Sequence, residues 1–227
     1  MKILLNAYPR SGLTTFAIEV RRAFRIFRTH NLQDMAEFDE WIIDKHEPFI
    51  YFGNYGDDVI LLGIIRNPID AISSNTERWL KGFTGNTIEG IRILDKRQNK
   101  IDSIENLGPV ELDFIKHQIK VYTSYLSCLE KNINNVKCFT YEQTRNETDK
   151  CLKNIMIFSG ININQIDDNK LTKTMINKED RHPIYFKVRE YLEAETGLID
   201  HYNRVYGRVI EFQLGYPILL KHSQTMV

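Results

Sequence analysis

The apolar run from Val59 to Ile65, VILLGII, constrains the fold of this chain more than any other feature. A half-exposed strand alternates apolar and polar residues, whereas a parallel strand covered by helices on both faces is apolar throughout. The run ends at Arg66, and Pro68 suits the first turn of a helix because its missing N–H needs no partner there. We therefore expect a buried parallel strand that is followed directly by a helix.

Other segments extend this pattern along the chain. Shorter apolar segments predict strands at Ile3–Asn6, Trp41–Ile43 and Val136–Thr140. Apolar residues at helical spacing predict helices from Thr14 to about Thr29, from Val110 to about Glu130, at Cys151–Phe158 and from Pro183 to Glu195. The alternation predicts a single α/β domain over residues 1–227, a three-layer sandwich with a mostly parallel central sheet. Residues 82–108, rich in Gly, Asn and charge, are interpreted as a mobile lid or substrate loop.

The composition argues against several classes of protein. The chain has 30 Lys and Arg against 30 Asp and Glu, so no overall basic field favours a nucleic-acid partner. No apolar run approaches the ~18 residues that a membrane span needs, and the strand expected from Ile3 argues against a signal peptide. Three cysteines without a C-x-x-C pair favour reduced thiols in a cytoplasmic protein and offer no metal site. The oligomeric state stays open.

The segment NAYPRSGLTTF follows the first predicted strand and leads into a predicted helix. In such a turn Gly12 allows successive backbone N–H groups to point to one place, and the helix N-terminus adds partial positive charge. Arg10 adds a charged planar donor, and Ser11, Thr14 and Thr15 add hydroxyls. The lysine of the common nucleotide-binding loop, G-x-x-x-x-G-K-[ST], is missing. On this stretch alone, an anion-binding loop and a ligand-free helix capped by Thr14 are equally good interpretations.

The stretch IIRNPIDAISS favours the anion-binding interpretation. Arg66 ends the predicted strand, and Ser74 lies eight residues further on, two turns into the following helix. An arginine and a serine at this spacing can hold one phosphate from two sides. Asp70, which lies between them, is expected to cap the helix.

Together, YPRSGLTTF and RNPIDAISS resemble the two cofactor motifs of sulfotransferases that use 3′-phosphoadenosine 5′-phosphosulfate (PAPS). In that family a Y-P-[KR]-S-G-x-T loop binds the 5′-phosphosulfate, and an R-N-P-x-D-x-x-x-S stretch binds the 3′-phosphate. The resemblance implies a sulfotransferase-like fold with a P-loop-like strand-loop-helix. The cofactor-binding residues that it implies are Arg10, Ser11, Gly12, Leu13, Thr14, Thr15, Arg66 and Ser74. Leu13 replaces a small or hydroxyl residue and would contribute only its backbone N–H.

Two further segments extend the resemblance. WIIDKHEP, Trp41–Pro48, is similar to the family's strand that ends in a Lys-Thr-His-x-Pro type segment, which implies that His46 is the catalytic base. VKCFTYEQ, Val136–Gln143, is similar to a strand that ends in Tyr-Glu-Asp, which implies that Tyr141 lies beside the adenine. A surface histidine and an ordinary strand-end tyrosine are the plain alternatives. The competing bases are the carboxylates Glu37, Glu40, Asp44 and Glu47.

The resemblance also implies a reaction. His46 would take a proton from a hydroxyl or amine of a small-molecule or glycan acceptor, and the acceptor would attack the sulfuryl group of PAPS. Arg10 would stabilise the leaving phosphate of the product, 3′-phosphoadenosine 5′-phosphate (PAP). No metal is expected, because a sulfuryl group carries less charge than a terminal phosphoryl group. The family's C-terminal R-K-G-x-x-G-D-W segment, a second contact to the 3′-phosphate, is absent, and Arg181 is a candidate to replace it.

Two other functions remain open at this point. One is a P-loop kinase of a nucleotide or small molecule, against which the missing lysine at position 13 argues. The other is a non-catalytic nucleotide-binding relative that kept the fold and lost the chemistry. No motif in the sequence identifies the acceptor.

Overall fold

The computed structural model describes residues 1–31, 37–45, 58–80, 107–160, 181 and 183–214. Five strands form one sheet in the order β2-β3-β1-β4-β5, and every neighbouring pair is parallel. The strands are β1 (Lys2–Ala7), β2 (Phe27–Thr29), β3 (Trp41–Lys45), β4 (Val59–Ile65) and β5 (Val136–Thr140). The parallel sheet predicted from the apolar run is confirmed.

Helices cover both faces of this sheet in the part of the chain that the structure describes. They are α1 (Leu13–Phe24), α2 (Pro68–Leu80), α3 (Pro109–Lys131), α4 (Tyr141–Asn146), α5 (Thr148–Ser159), α6 (Pro183–Glu193) and α7 (Thr196–Leu214). Buried side chains of α1 and α5 pack on one face, and those of α2, α3, α6 and α7 pack on the other. This arrangement confirms the predicted three-layer α/β sandwich.

The sheet topology places three predicted motifs at one edge. β1 lies at the centre, between β3 and β4, and β5 pairs with the far side of β4. Because all strands are parallel, their carboxyl ends meet at the same edge, where ligands of such sheets bind. The segments that follow β1, β4 and β5 therefore start side by side, and they carry Arg10, Arg66 and Tyr141.

The helix predicted from Thr14 to about Thr29 is shorter than expected. α1 ends at Phe24 because Arg25 adopts a left-handed conformation with φ of 56°. Phe27–Thr29 then pairs with β3 as an edge strand. The apolar spacing continues to Phe27, which is why the sequence pattern did not show the end of the helix. Hydrogen bonding to β3 is available only in the folded chain, and it decides the conformation of this segment.

The C-terminal third also differs from the prediction. The helix expected from Pro183 to Glu195 ends at Glu193, and a separate helix, Thr196–Leu214, follows it. Leu198, Val205 and Val209 of this second helix are buried against α3 and the sheet. The proposed lid at 82–108 lies almost wholly outside the described residues, of which only 107 and 108 belong to it.

Gly63, at the middle of β4, lies where no side chain fits. A Cβ atom there would lie 3.0 Å from Cys138 Sγ and 3.1 Å from Leu129 Cδ2. We expect Gly63→Ala to lower the free energy of unfolding by about 1–3 kcal/mol, the usual cost of overpacking a core. Urea denaturation followed by circular dichroism measures the change.

Gly207→Ala is the matched control for this substitution. Gly207 lies in α7, and a Cβ atom there would meet nothing within 4 Å. Alanine should therefore raise the free energy of unfolding by ~0.5–1 kcal/mol, since glycine weakens a helix interior. If both variants changed stability in the same direction, the packing described around Gly63 would be incorrect.

Candidate active site

The loop between β1 and α1 is a tight turn. The Ser11 N–H donates to the Tyr8 carbonyl oxygen at 3.2 Å, and both Arg10 (φ 67°) and Gly12 (φ 77°) are left-handed. Left-handed residues on either side of Ser11 turn successive N–H groups toward one place. The helix begins at Leu13 with Gly12 as its N-cap. The alternative in which Thr14 caps the helix is therefore wrong, because Thr14 is already an exposed residue of the first turn.

The loop offers donors for an anion. The first N–H groups of α1 have no partner within the helix, and the helix dipole makes this end partly positive. Ser11 is fully buried, and its hydroxyl has no hydrogen-bond partner within the described residues. Thr14 and Thr15 follow on the solvent side of the turn, whereas Leu13 points into the core and contributes only its backbone.

Arg66 is buried directly beside this loop. Its Nη1 donates to the carbonyl oxygen of Arg10, and its guanidinium lies 4.2 Å from the centre of the Tyr141 ring. Its Nε is buried, and no acceptor for it is found in the part of the chain that the structure describes. A buried donor without an acceptor costs free energy, and an anion bound at this place would supply the acceptor.

The site converges on Ser74. Arg10 Nε donates to Ser74 Oγ at 3.1 Å, and Arg181 Nη1 lies 3.4 Å from the same oxygen. The structure thus brings together Arg10, Arg66 and Ser74, which the sequence predicted, and adds Arg181, which the sequence only raised as a candidate. Two arginines at this hydroxyl, with Arg66 bound to the backbone of Arg10, concentrate positive charge in this pocket.

Arg181 is held by contacts that sequence reasoning missed. Its Nη1 also donates to Glu77 Oε2 at 3.1 Å, and its guanidinium lies 4.8 Å from the centre of the Tyr185 ring. Glu77 is buried and lies three residues after Ser74, one turn further along α2. This spacing is the signal that could have placed Glu77 at the site.

Tyr141 covers the loop from the side of β5. It is the first residue of α4, whose start is fixed by a capping box between Thr140 and Gln143. The Tyr141 ring lies so close to Gly12 that a Cβ atom on Gly12 would be 3.0 Å from two of its carbons. Arg145 Nη1 donates to the Tyr141 hydroxyl at 3.3 Å. Tyr141 is therefore in contact with both predicted cofactor motifs.

A polar network joins the loop to two helices. The Tyr8 hydroxyl donates to Gln118 Oε1 at 2.6 Å, and Asn75 Nδ2 donates to the same oxygen at 3.0 Å. Burial raises the pKa of Tyr8, so its phenol stays protonated. The network fixes the start of the loop relative to α2 and α3, and it involves the residue next to Ser74.

Two tyrosines of α3 bind backbone carbonyl groups where the strands end. The Tyr125 hydroxyl donates to the Ile64 carbonyl at 2.9 Å, and the Tyr122 hydroxyl donates to the Arg66 carbonyl. Burial raises the pKa of both tyrosines, so they remain neutral donors. These contacts position the end of β4, and with it Arg66.

Asp70 does not cap α2, which corrects the sequence prediction. The side chain of Asn67 does so by accepting from the Ile69 N–H at 2.9 Å. Asp70 instead accepts hydrogen bonds from the Tyr185 hydroxyl, at 3.0 Å, and from Arg189. Asp70 therefore attaches α6 to α2. Because α6 begins two residues after Arg181, this contact also helps to position Arg181.

The predicted base, His46, lies outside the described residues, as does the competing Glu47. Of the other carboxylates, Asp44 is fully buried and pairs with Arg28 at 2.7 Å and with His30 at 3.4 Å. Glu37 and Glu40 are exposed, and Glu40 pairs with the N-terminal ammonium group at 2.8 Å.

Two properties of the described residues bear on metals and membranes. Within ranges 1–31, 37–45, 58–80, 107–160 and 183–214, no three His, Cys, Asp or Glu side chains are grouped so that they could hold a metal ion. No helix in these ranges is both long and apolar enough to span a bilayer.

Comparison with known proteins identifies the fold. A sulfotransferase from Alicyclobacillus acidocaldarius has a similar structure, with a TM-score of 0.51 and 14% identity over 93% of this chain and 94% of that chain. Mouse sulfotransferase SULT7A1 complexed with PAP matches with a TM-score of 0.46 and 19% identity over 71% of this chain. This match covers 60% of the mouse chain. No family model and no curated protein matches the sequence. The likeness to the bacterial structure confirms the sulfotransferase-like fold expected from the motifs.

Gly12→Ala tests the contact between the loop and Tyr141. Alanine there must adopt a left-handed conformation and also displace the tyrosine ring, because its Cβ would lie 3.0 Å from the ring. We expect a loss of about 2–4 kcal/mol in the free energy of unfolding, since strain and overpacking add. The measurement is urea denaturation.

Gly160→Ala separates the two causes. Gly160 has φ of 69°, and a Cβ atom there would meet nothing within 4 Å, so only the left-handed strain of ~1–2 kcal/mol applies. In a Tyr141→Ala background, Gly12→Ala should lower the free energy of unfolding by about as much as Gly160→Ala does, because the clash with the ring is gone and only the left-handed strain remains. Equal losses at Gly12 and Gly160 would contradict the contact with Tyr141.

Proposed function

We propose that this protein is a PAPS-dependent sulfotransferase, which transfers a sulfuryl group to a hydroxyl or amine of an acceptor. The observation that carries this proposal is a group of three arginines next to an anion-binding loop: Arg10 and Arg181 both reach Ser74, and Arg66 donates to the backbone of Arg10. A nucleotide with phosphates at both its 5′ and 3′ positions needs two anion sites along one edge of the sheet. The sulfotransferase-like fold and both sequence motifs support the same activity.

The donor fits the residues that line the site. The 5′-phosphosulfate is assigned to the backbone N–H groups from Ser11 to Thr15 and to the buried Ser11 hydroxyl. The 3′-phosphate is assigned to Arg66, whose Nε has no acceptor among the described residues, and to Ser74. Arg181 is a third ligand for the same phosphate, since it already donates to the Ser74 hydroxyl. The adenine is assigned to the neighbourhood of Tyr141.

Arg10 connects the loop proposed for the 5′-phosphate with the residue proposed for the 3′-phosphate. Its backbone belongs to the loop, and its side chain reaches Ser74. A guanidinium offers several donors at once, which suits a phosphate on which negative charge develops. We therefore assign to Arg10 the stabilisation of the leaving phosphate.

The reaction is an in-line displacement in which PAPS supplies the sulfuryl group and a phosphate leaving group. A bond forms between the acceptor oxygen or nitrogen and sulfur, while the bond between sulfur and the 5′-phosphate oxygen breaks. The protein holds both phosphates, excludes water around the loop and accepts the proton of the acceptor. His46 stays the proposed base. Asp44 is unsuited to this role because it is buried in an ion pair with Arg28.

The acceptor is proposed to be a small molecule or a glycan that meets the protein in the cytoplasm. No metal ion has a role in the proposed reaction, since arginines and backbone N–H groups neutralise the phosphates. A P-loop kinase would need a lysine where Leu13 points into the core between α1 and the sheet. The donor preference of the protein distinguishes these two activities.

The proposal predicts which nucleotides stabilise the protein. PAP should raise the melting temperature, and at 100 times its dissociation constant it should add ~2.7 kcal/mol to the free energy of unfolding. Adenosine 5′-phosphate should stabilise the protein much less, because it gives Arg66 and Ser74 no ligand. Thermal denaturation with each nucleotide, and with Mg-ATP as the kinase control, measures this. Equal shifts from PAP and adenosine 5′-phosphate would contradict the 3′-phosphate site, and a shift from Mg-ATP alone would favour a kinase.

The two motif arginines should differ in their effects. Arg66→Ala should weaken PAP binding by roughly 1.5–3 kcal/mol, the value of a charge-assisted hydrogen bond. Arg10→Ala should mainly lower kcat, because Arg10 acts on the leaving phosphate. Calorimetry of PAP binding and steady-state kinetics of sulfuryl transfer measure the two effects. Arg204→Ala, which removes an exposed arginine of α7, should change neither value. An Arg10→Ala enzyme with normal kcat would exclude its transition-state role.

A further inference from the structure

A buried carboxylate lies inside the positive pocket that surrounds Ser74. Glu77 is 5% exposed, and its Oε2 lies 3.1 Å from Arg181 Nη1. The same nitrogen lies 3.4 Å from Ser74 Oγ. Glu77 and Ser74 therefore share one donor atom of Arg181, and any anion that binds the Ser74 hydroxyl also lies close to the Glu77 carboxylate.

This position gives Glu77 two opposing effects on an anion. The carboxylate holds Arg181 beside Ser74, with the guanidinium resting on the Tyr185 ring. It also repels a phosphate on Ser74, because two like charges close together repel appreciably in a poorly solvated site. Arg181 has a side chain that is 33% exposed. It can therefore keep its charge in contact with water, and the aromatic ring continues to orient it when the carboxylate is removed.

We propose that Glu77 limits the affinity of this site for the 3′-phosphate, so that the nucleotide product dissociates. The inference rests on the proposed function and adds a residue that sets how tightly the product is held. Arg10, Arg66 and Arg181 together would bind a dianionic phosphate strongly and release it slowly. One carboxylate in contact with Arg181 lowers the net positive charge of the pocket and competes for its donors.

The test measures the dissociation constant of PAP for a variant without the Glu77 charge, and the inference requires that this constant falls. Glu77→Gln keeps the size of the side chain and an oxygen acceptor for Arg181, but removes the charge. PAP should bind this variant about tenfold more tightly, on the order expected for one coupled charge. Stopped-flow measurement should place most of the gain in slower dissociation. Adenosine 5′-phosphate, which lacks the 3′-phosphate, should bind as it does to the unchanged protein.

A double-mutant cycle attributes the gain to Arg181. In an Arg181→Met background, Glu77→Gln should produce less tightening, because the donor for which Glu77 competes is gone and only the direct repulsion of the phosphate is relieved. Glu19→Gln is the matched control, since Glu19 is another buried glutamate that pairs with an arginine, on α1. It should leave PAP binding unchanged. If Glu77→Gln does not fold, Glu77→Met removes the same charge with a side chain of similar length.

Three results would overturn the inference: weaker or unchanged PAP binding in the charge-removing variants, equal tightening for adenosine 5′-phosphate, or equal tightening without Arg181. A purely structural ion pair would give the first of these. Failure of the proposed function looks different, because the unchanged protein would then show no preference for PAP over adenosine 5′-phosphate.

Discussion

The site depends on how the backbone carbonyl groups are satisfied where the central strands end. A strand that leaves a sheet deprives its last carbonyl groups of partners, and a buried carbonyl without a donor is costly. Here the tyrosines of α3 donate to these groups: Tyr122 to the Arg66 carbonyl, and Tyr125 to the Ile64 carbonyl at 2.9 Å, with the Asn6 carbonyl sharing the same proton at 3.3 Å. Burial raises the pKa of both phenols, so that they act as neutral donors. One helix thereby fixes where two strands stop and where the loops begin.

The electrostatics of the site follow from that arrangement. Arg66 directly follows the end of β4, whose position is fixed, and it donates to the backbone of Arg10. Both guanidinium groups therefore lie at one edge of the sheet. Arg181 belongs to the C-terminal third of the chain and lies just before α6. Asp70 joins α6 to α2 by accepting from Tyr185 and Arg189. Positive charges held so close repel each other, and an anion or a carboxylate relieves this repulsion. Such a pocket is therefore prepared for phosphate by contacts that lie mostly outside it.

Much of the fold could be predicted because its strands are buried on both faces. The continuous apolar run VILLGII predicts β4 with its correct limits, and shorter, largely apolar segments predict β5 with its correct limits and β1 and β3 within two residues. The edge strand β2 was missed, since its three residues continue the apolar spacing of α1. The helix Thr196–Leu214 was also missed, although Leu198, Val205 and Val209 have helical spacing.

The site could be predicted only as far as its motifs reach. Arg10, Arg66 and Ser74 belong to two short stretches, and the parallel sheet brings those stretches together. Arg181 and Glu77 meet across 104 residues, and no local pattern encodes that contact. The sequence predicts Asp70 as the cap of α2, whereas the structure shows that Asn67 supplies the cap and that Asp70 binds α6, a tertiary contact that no local pattern shows.

The central position of β1 has a consequence for how the chain folds during synthesis. β1 is made first of the five strands, yet it pairs with β3 and β4, which begin at residues 41 and 59. The carbonyl of Asn6, near the end of β1, can contact the Tyr125 hydroxyl only when α3 has left the ribosome. Contacts so distant along the chain give a high contact order, which slows folding and leaves apolar strands unpaired meanwhile. The nascent chain therefore exposes Ile3, Leu4 and Leu5 until β3 and β4 have been made, and molecular chaperones that shield apolar segments would act at this stage.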